Sequence, residues 1–211
     1  MIIKVCGMRE PQNIREVAAL AINWIGFIFY ERSKRFVERC PTEQQVTDSE
    51  QLSPKKVGVF VNATIESMME KASAYKLDYL QLHGNESPED CHTLQKRGYS
   101  LIKAFPIATK EDFEKTREYE GRVDYFLFDT RCEGYGGSGK RFDWSILTEY
   151  KRETPFLLSG GIRPESAGAI CSFRHPRLAG IDLNSGFEIE PGLKDIGKLK
   201  EFLKAIQNHN S

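Results

Sequence analysis

Eight short runs of apolar, β-branched or aromatic residues recur along the whole sequence and constrain what it can fold into. In chain order they are IIKVC, WIGFIF, KVGVFV, DYLQLH, SLIKAF, DYFLFD, PFLLSG and AGIDLN. Stretches with helical spacing separate them and carry helix start and stop residues. Examples are Pro11 in the first turn of EPQNIREVAALA, Asn62 as the N-cap of NATIESMMEKASAYK, and Ser87 and Gly98 at the two ends of SPEDCHTLQKRG. The weakest stretch, CPTEQQVTDSEQL, is polar and predicts a short helix or mostly loop.

Strands that alternate with helices predict βαβ units, because a parallel neighbour can be reached only through a crossover. Eight units of roughly 26 residues each match a (β/α)8 barrel. The competing fold is an open doubly wound sheet, which usually carries a G-x-G-x-x-G turn after its first strand. Here the first strand is followed by CGMREP, and no linker-like segment divides the chain. The sequence therefore predicts an α/β fold, a single-domain (β/α)8 TIM barrel that spans residues 1–211.

Charge and hydropathy indicate what kind of partner to expect. The 30 Lys and Arg residues cancel the 30 Asp and Glu residues, so no net field would hold the chain on nucleic acid or on an anionic membrane. No apolar run approaches the ~20 residues that a membrane helix needs, and the N-terminal MIIKVC is too short for a secretory signal. We expect a cytoplasmic protein whose partner is a small molecule, with no nucleic acid and no membrane involved.

The cysteines are odd in number and widely scattered: Cys6, Cys40, Cys91, Cys132 and Cys171. No C-x-x-C pair and no Cys/His cluster with zinc spacing occurs among them. The pattern argues against disulfides and structural metal, and we expect each cysteine to be a reduced thiol.

In such a barrel the active site lies at the carboxyl ends of the strands, where Cys6 ends the first run and Asp129 the sixth. Cys6 is either a packed small residue or a reactive thiol, and Asp129 is either a cap or an acid–base group. Lys4 points to the same side as Cys6, and its ammonium would favour the thiolate. Gly7 would leave room for a substrate. The first and sixth strands are three apart around the ring, so the thiol and the carboxylate would face each other across the mouth.

Glycine-bearing segments follow the last two strands, in LLSGGIRPESA and DLNSGFE. These loops often bind phosphate in barrels, although tight turns would also account for the glycines. The segment RCEGYGGSGKRFDW after Asp129 suits either a lid over the substrate or an unstructured loop. In ERSKRF, Arg35 could bind a substrate carboxylate or belong to a solvated charge run. His83 is either an acid–base group or a hydrogen-bonded structural residue.

These motifs, in this combination and order, resemble the phosphoribosylanthranilate isomerase family of tryptophan biosynthesis. The resemblance is carried by KVCGMRE, ERSKRFV, VGVFVN, DYLQLHGNES, FLFDT with GGSGKRFDW, LLSGGIRPESA and GIDLNSGFEIEPGLKD, and it covers the full length. It implies a (β/α)8 barrel without metal or organic cofactor. The implied reaction is the Amadori rearrangement of N-(5'-phosphoribosyl)anthranilate, and the implied state is a monomer or a homodimer.

The resemblance also implies roles for individual residues. Cys6 would be the general base and Asp129 the general acid. The implied substrate-binding residues are Arg35 for the carboxylate, Gly160, Gly161, Ser185 and Gly186 for the phosphate, Gly136 and Gly137 in a loop that closes over the substrate, and Asp182 facing the pocket. The sequence departs from the family at Phe187, since SGFE replaces the usual SGVE and changes the local packing.

Two other functions use the same features. A Schiff-base aldolase on this barrel would need an inward lysine, for which Lys4 and Lys103 are the candidates. A binding protein for a phosphorylated ligand would need only the glycine loops. A thiol and a carboxylate at the ends of two strands argue against a role in binding alone.

Overall fold

Eight parallel strands form a closed barrel in the computed structural model, which describes residues 1–37, 53–130 and 144–208. The strands are β1 (Ile2–Val5), β2 (Trp24–Ile28), β3 (Lys55–Phe60), β4 (Tyr79–Leu82), β5 (Ser100–Ile107), β6 (Tyr125–Thr130), β7 (Phe156–Ser159) and β8 (Leu178–Leu183). Each strand pairs with its neighbour in the chain, and β1 also pairs with β8, which closes the ring. The prediction of a (β/α)8 barrel is confirmed.

Helical segments connect the strands on the outside of the barrel. Within residues 1–37, 53–130 and 144–208 the α-helices are α1 (Pro11–Ala18), α2 (Ile65–Ala74), α3 (Pro88–Lys96), α4 (Ala167–Ser172) and α5 (Ile196–Asn208). The predicted helices after β5 and β6 are 3-10 helices, at Lys110–Tyr119 and Trp144–Glu149. Shorter 3-10 turns lie at Pro164–Ser166 and Ser185–Phe187, and a small hairpin, β9 (Glu188–Glu190) and β10 (Leu193–Lys194), follows β8. The stretch CPTEQQVTDSEQL lies outside the described residues.

The predicted boundaries of α3 are confirmed. Ser87 is its N-cap in a capping box, in which Ser87 Oγ accepts from the amide of Asp90 at 3.1 Å and Asp90 Oδ2 accepts from the amide of Ser87 at 2.9 Å. Gly98 follows the helix with φ +87°, a left-handed conformation that favours glycine. Pro11 begins α1, as its fixed φ predicts.

The predicted start of α2 is wrong by two residues. Thr64 is the N-cap, and its side chain accepts from the amide of Ser67 at 3.2 Å. Asn62 adopts φ +53°, and its side-chain oxygen accepts from the amide of Asn85 at 2.6 Å in the loop after β4. Asn62 therefore ties together two neighbouring strand ends at the mouth of the barrel.

The barrel interior has its own apolar core, separate from the larger core between strands and helices. It consists of Trp24, Val57, Ile102, Ala104, Leu127 and Leu157. At the amino ends of the strands the rings of Trp24, Tyr79 and Tyr125 lie 4.6 to 6.1 Å apart, centroid to centroid. Aromatic rings therefore fill the bottom of the barrel, which leaves the carboxyl ends of the strands as the place for a site.

The described cysteines Cys6, Cys91 and Cys171 are free thiols, while Cys40 and Cys132 lie outside the described residues. Within the described ranges, the structure contains no helix of the length and apolarity needed to cross a bilayer. Phe187 is fully buried and packs against Phe202 of α5 with ring centroids 4.9 Å apart. The larger residue in SGFE is thus accommodated by the outer core.

Candidate active site

Cys6 directly follows β1 and is buried at the top of the barrel. Its amide donates to the carbonyl of Leu183 at 2.8 Å, which extends the pairing of β1 with β8. A Cβ on Gly26 of β2 would lie 2.8 Å from the Cys6 sulfur. Glycine at that position therefore makes room for the thiol, which sits with only 3% of the residue exposed.

Lys4 and Asp182 form a buried ion pair in the layer beneath Cys6. They are partners in the β1–β8 register, and Lys4 Nζ lies 3.0 Å from Asp182 Oδ1. Burial alone would lower the pKa of Lys4, but Asp182 and Cys6 together raise it. Asp182 thus faces the interior of the barrel, and one of its oxygens accepts from Lys4.

The pKa of Cys6 is raised above its ordinary value. Burial is the largest cause, and the charge of Asp182 adds to it, while the cations of Lys4 and Lys194 oppose both. The expectation that Lys4 favours the thiolate is right in sign. Burial outweighs this effect, because the enclosed thiolate is poorly solvated and the nearby cations do not fully compensate for the missing water.

Asp129 is the penultimate residue of β6, three positions around the ring from β1, with 19% of its side chain exposed. Its Oδ2 lies 3.8 Å from Nε2 of His83, which follows β4. The other ring nitrogen of His83 is 2.9 Å from the Gln81 side-chain amide. His83 is therefore the hydrogen-bonded residue that the sequence allowed, and it also lies beside the candidate acid, which sequence alone did not indicate.

Arg35 lies after β2 and binds a carboxylate of the protein itself. Its Nε donates to Glu188 Oε1 at 2.8 Å and its Nη2 donates to Glu188 Oε2 at 2.5 Å. Lys194 Nζ donates to the same Oε1 at 2.6 Å and to Asn184 Oδ1 at 2.8 Å. Sequence analysis missed both Glu188 and Lys194. The available signal was the opposite charges of these two residues in FEIEPGLK, directly after the last glycine loop.

Gly7 has φ +74°, and a Cβ there would lie 2.6 Å from Arg35 Cδ and 2.8 Å from Asn184 Oδ1. The expectation that Gly7 leaves room for substrate is corrected. The space beside Gly7 is filled by protein, and the glycine lets Arg35 and Asn184 approach the end of β1.

The two glycine loops lie side by side, because β7 and β8 are neighbours in the barrel. Gly160 and Gly161 follow β7 with φ +90° and +63°, values that favour glycine. A Cβ on Gly186 would lie 2.2 Å from the carbonyl oxygen of Ile162, so the loop after β8 packs directly on the loop after β7. Ser185 and Gly186 form the turn of that second loop. Gly136 and Gly137 lie outside the described residues.

Lys103 does not point into the barrel, which corrects one of the two candidates for an aldolase lysine. Its neighbours Ile102 and Ala104 belong to the interior core, and side chains alternate along a strand. Lys103 Nζ instead donates to the carbonyl of Gly84 at 2.8 Å and to Glu86 Oε2 at 3.2 Å in the outer layer. Lys4 is the inward lysine, and it is paired with Asp182.

Comparison with known proteins points to one family. A family model described as N-(5'-phosphoribosyl)anthranilate (PRA) isomerase matches residues 3–205. An N-(5'-phosphoribosyl)anthranilate isomerase of Parabacteroides distasonis is 93% identical over 206 residues, which cover 98% of this chain and 93% of that protein. The enzyme of that name from Phocaeicola vulgatus is 48% identical over 209 residues, 98% of each chain.

Solved structures agree with the sequence matches. The phosphoribosyl anthranilate isomerase of Thermotoga maritima has a TM-score of 0.82 and 32% identity, with 99% of this chain and 100% of that one covered. A phosphoribosyl anthranilate isomerase in complex with reduced 1-(o-carboxyphenylamino)-1-deoxyribulose 5-phosphate has a TM-score of 0.80 and 29% identity, with 99% and 100% covered.

Proposed function

The chain belongs to the N-(5'-phosphoribosyl)anthranilate isomerase family, and on this premise we propose that Cys6 and Asp129 carry the two proton transfers of its reaction. The chain is an intramolecular aldose–ketose isomerase of tryptophan biosynthesis. It converts N-(5'-phosphoribosyl)anthranilate to 1-(2-carboxyphenylamino)-1-deoxyribulose 5-phosphate by an Amadori rearrangement.

In the proposed mechanism Asp129, protonated, gives its proton to the furanose ring oxygen, and the ring opens to an iminium. The Cys6 thiolate then takes the proton from C2' of the sugar, which leaves an enolamine that tautomerises to the ketone. General acid–base catalysis requires each group to lie within hydrogen-bond reach of the proton that it moves, and two groups that face each other across the mouth suit a small substrate between them. The single observation that supports the assignment is that a buried thiol directly after β1 and a carboxylate in the last two residues of β6 lie three strands apart on one rim.

The groups around Cys6 support its role as the base. The cations of Lys4 and Lys194 lower the pKa of Cys6 and so oppose the effect of burial. A thiolate that forms in a poorly solvated place is a strong base, because water does not stabilise its charge. We infer that the base is mostly a thiol at neutral pH and that its minor thiolate form takes the proton.

The rest of the rim supports binding of a substrate with an anionic group at each end. We propose that Arg35 binds the anthranilate carboxylate. Backbone amides of the two glycine loops, at Gly160, Gly161, Ser185 and Gly186, would bind the phosphate. Asp182 would face the sugar from below. Gly136 and Gly137 are assigned to the substrate by family resemblance alone.

The test is to supply freshly made phosphoribosylanthranilate and follow the decay of its anthranilate fluorescence. Cys6→Ala and Asp129→Ala are each expected to lose at least about 100-fold in rate, the low end for acid–base catalysis. Cys171→Ala, which removes a thiol on α4 far from the rim, is the matched control and should retain the wild-type rate. If Cys6→Ala stays active while Asp129→Ala does not, Cys6 is not the base.

We propose further that residues 1–211 form one domain that works in the cytoplasm without metal or organic cofactor, as a monomer or a homodimer. One similar solved structure is that of monomers generated from the dimeric phosphoribosylanthranilate isomerase of Thermotoga maritima. Light scattering after size-exclusion chromatography distinguishes 24.1 kDa from twice that mass. Rates that are unchanged after treatment with EDTA are the expected result for the absence of a metal requirement.

A further inference from the structure

Glu188 is the first residue of β9, and its carboxylate is almost completely enclosed, with 5% of the side chain exposed. Oε1 accepts three hydrogen bonds, from Arg35 Nε at 2.8 Å, Lys194 Nζ at 2.6 Å and the amide of Gly192 at 3.1 Å. Oε2 accepts from Arg35 Nη2 at 2.5 Å. The carboxylate is therefore held by Arg35, which follows β2, and by Gly192 and Lys194 of its own hairpin.

The charges in this group do not balance. One carboxylate serves two cations, Arg35 and Lys194, so the group carries an excess of one positive charge. Lys194 is fully buried, whereas Arg35 is 22% exposed. The excess positive charge is therefore accessible only at the guanidinium. A guanidinium has five N–H donors in a fixed fork, and Glu188 uses two of them.

We propose that Glu188 is a positioning residue that orients the Arg35 guanidinium for the carboxylate of the substrate. The proposal rests on the assignment of Arg35 to that carboxylate under the proposed function. Two parallel hydrogen bonds fix the plane of the guanidinium, so the donors that Glu188 does not use keep one direction before any ligand arrives. A side chain that is already fixed loses less conformational entropy on binding.

Glu188 is itself anchored from behind, which makes it a fixed support for Arg35. Lys194 bonds to Glu188 and to Asn184 at the end of β8. The backbone of Lys194 exchanges two hydrogen bonds with the Asn13 side chain of α1, at 2.9 and 2.7 Å. A substrate carboxylate would have to break both Arg35–Glu188 hydrogen bonds to replace Glu188, while Lys194 and Gly192 hold the Glu188 carboxylate in place.

Glu188→Gln tests the proposal with little change of shape. The amide oxygen can occupy the place of Oε1 and keep three of the four hydrogen bonds, but the amide nitrogen then faces the Arg35 Nη2 donor. The probes are reduced 1-(o-carboxyphenylamino)-1-deoxyribulose 5-phosphate and the same compound without the ring carboxylate. Calorimetry gives the two Kd values, and their ratio measures recognition of the carboxylate alone.

For the wild type we expect the carboxylate to improve Kd by about 10- to 100-fold, the range for hydrogen bonds between charged groups. Arg35→Met should reduce the ratio to about 1, and Glu188→Gln should reduce it at least about fivefold. Both variants should bind the ligand that lacks the carboxylate within about threefold of wild type. Glu190→Gln, an exposed residue of the same hairpin, is the matched control and should keep the wild-type ratio.

The outcomes separate the two claims. If Arg35→Met keeps the wild-type ratio, the assignment of Arg35 to the carboxylate is wrong. If the ratio of the two Kd values falls to about 1 in Arg35→Met but stays at the wild-type value in Glu188→Gln, only the role of Glu188 is overturned. A ratio that increases in Glu188→Gln would show that the substrate displaces Glu188, and would also overturn the proposal. Should Glu188→Gln not fold, Glu188→Asp retains the charge but retracts it by one methylene, and the ratio should again decrease.

Discussion

The ammonium nitrogen of Lys4 lies 3.0 Å from a carboxylate oxygen of Asp182 inside the barrel, one layer beneath Cys6. Both side chains are nearly inaccessible to solvent. A buried pair of this kind contributes little net stability, because the cost of desolvating two charges offsets their attraction. Its consequence for function is electrostatic, since the pair places a cation and an anion next to the thiol that we propose as the base.

Lys4→Met should make Cys6 harder to ionise. The variant removes a cation that lowers the pKa of Cys6 and leaves the anion of Asp182, which raises it. We expect kcat/KM at pH 7 to fall by about 10-fold or more, the effect of about 1.4 kcal/mol on one protonation equilibrium. Alkylation of the Cys6 peptide by iodoacetamide, followed by mass spectrometry, should reach its half-maximal rate at higher pH.

The double variant Lys4→Met/Asp182→Asn is the control for that measurement. It removes both charges, so its alkylation midpoint should lie between those of the wild type and Lys4→Met. A midpoint in Lys4→Met equal to that of the wild type would show that Lys4 does not act on the thiol.

The pH dependence of the wild-type enzyme should reflect the raised pKa of Cys6. Because burial raises this pKa above the ordinary value of 9.0, the thiolate is the minor form at neutral pH and its population increases as the pH rises. We expect the rate of Cys6 alkylation by iodoacetamide, which depends on the thiolate alone, to increase with pH from 7 towards 9, by up to about 10-fold per unit while the thiol predominates. Mass spectrometry of the Cys6 peptide measures this rate, and an alkylation rate that is already constant from pH 7 to 9 would contradict a raised pKa for Cys6.

Gly7→Ala should affect substrate binding as well as stability. The residue has φ +74°, and the new Cβ would lie 2.6 Å from Arg35 Cδ, so Arg35 must move. Gly98→Ala is a matched control, because Gly98 has φ +87° but a Cβ there meets nothing within 4 Å. We expect both variants to lose about 1–2 kcal/mol in urea unfolding from backbone strain. Only Gly7→Ala should raise KM, by about 10-fold, and an equal KM in the two variants would exclude an effect through Arg35.

The elements of this fold follow from local signals in the sequence. Each strand is a short apolar run, and Pro11, Ser87 and Gly98 mark helix ends through local backbone chemistry. The carboxyl ends of the strands are also local information. This is why Cys6 and Asp129 could be selected as site residues before the structure was known.

The parts that sequence could not supply depend on distant contacts. Glu188 reaches Arg35 across 153 positions of sequence, through a hairpin that follows the eighth strand. The direction of Lys103 was also hidden, because the strands of a barrel are buried on both faces and an apolar run does not show which face a lysine takes. The net pKa of Cys6 needs the burial of the thiol, which a sequence does not give.

Lys103→Met should destabilise the protein while leaving the chemistry intact. Lys103 is buried in the outer layer, where it bonds to the carbonyls of Leu82 and Gly84 and to the carboxylate of Glu86. Removing it leaves the Glu86 charge buried, where the amides of Asn62 and Gly84 still donate to it. The expected loss is about 3–5 kcal/mol in the free energy of urea unfolding.

The double variant Lys103→Met/Glu86→Gln should recover part of that loss, because a neutral amide oxygen still accepts from the amides of Asn62 and Gly84. At a temperature where the single variant is folded, kcat should stay within about threefold of wild type, since the Lys103 side chain points out of the barrel interior. An unchanged stability with lost activity, or a borohydride-trapped adduct on Lys103, would instead support a Schiff-base enzyme.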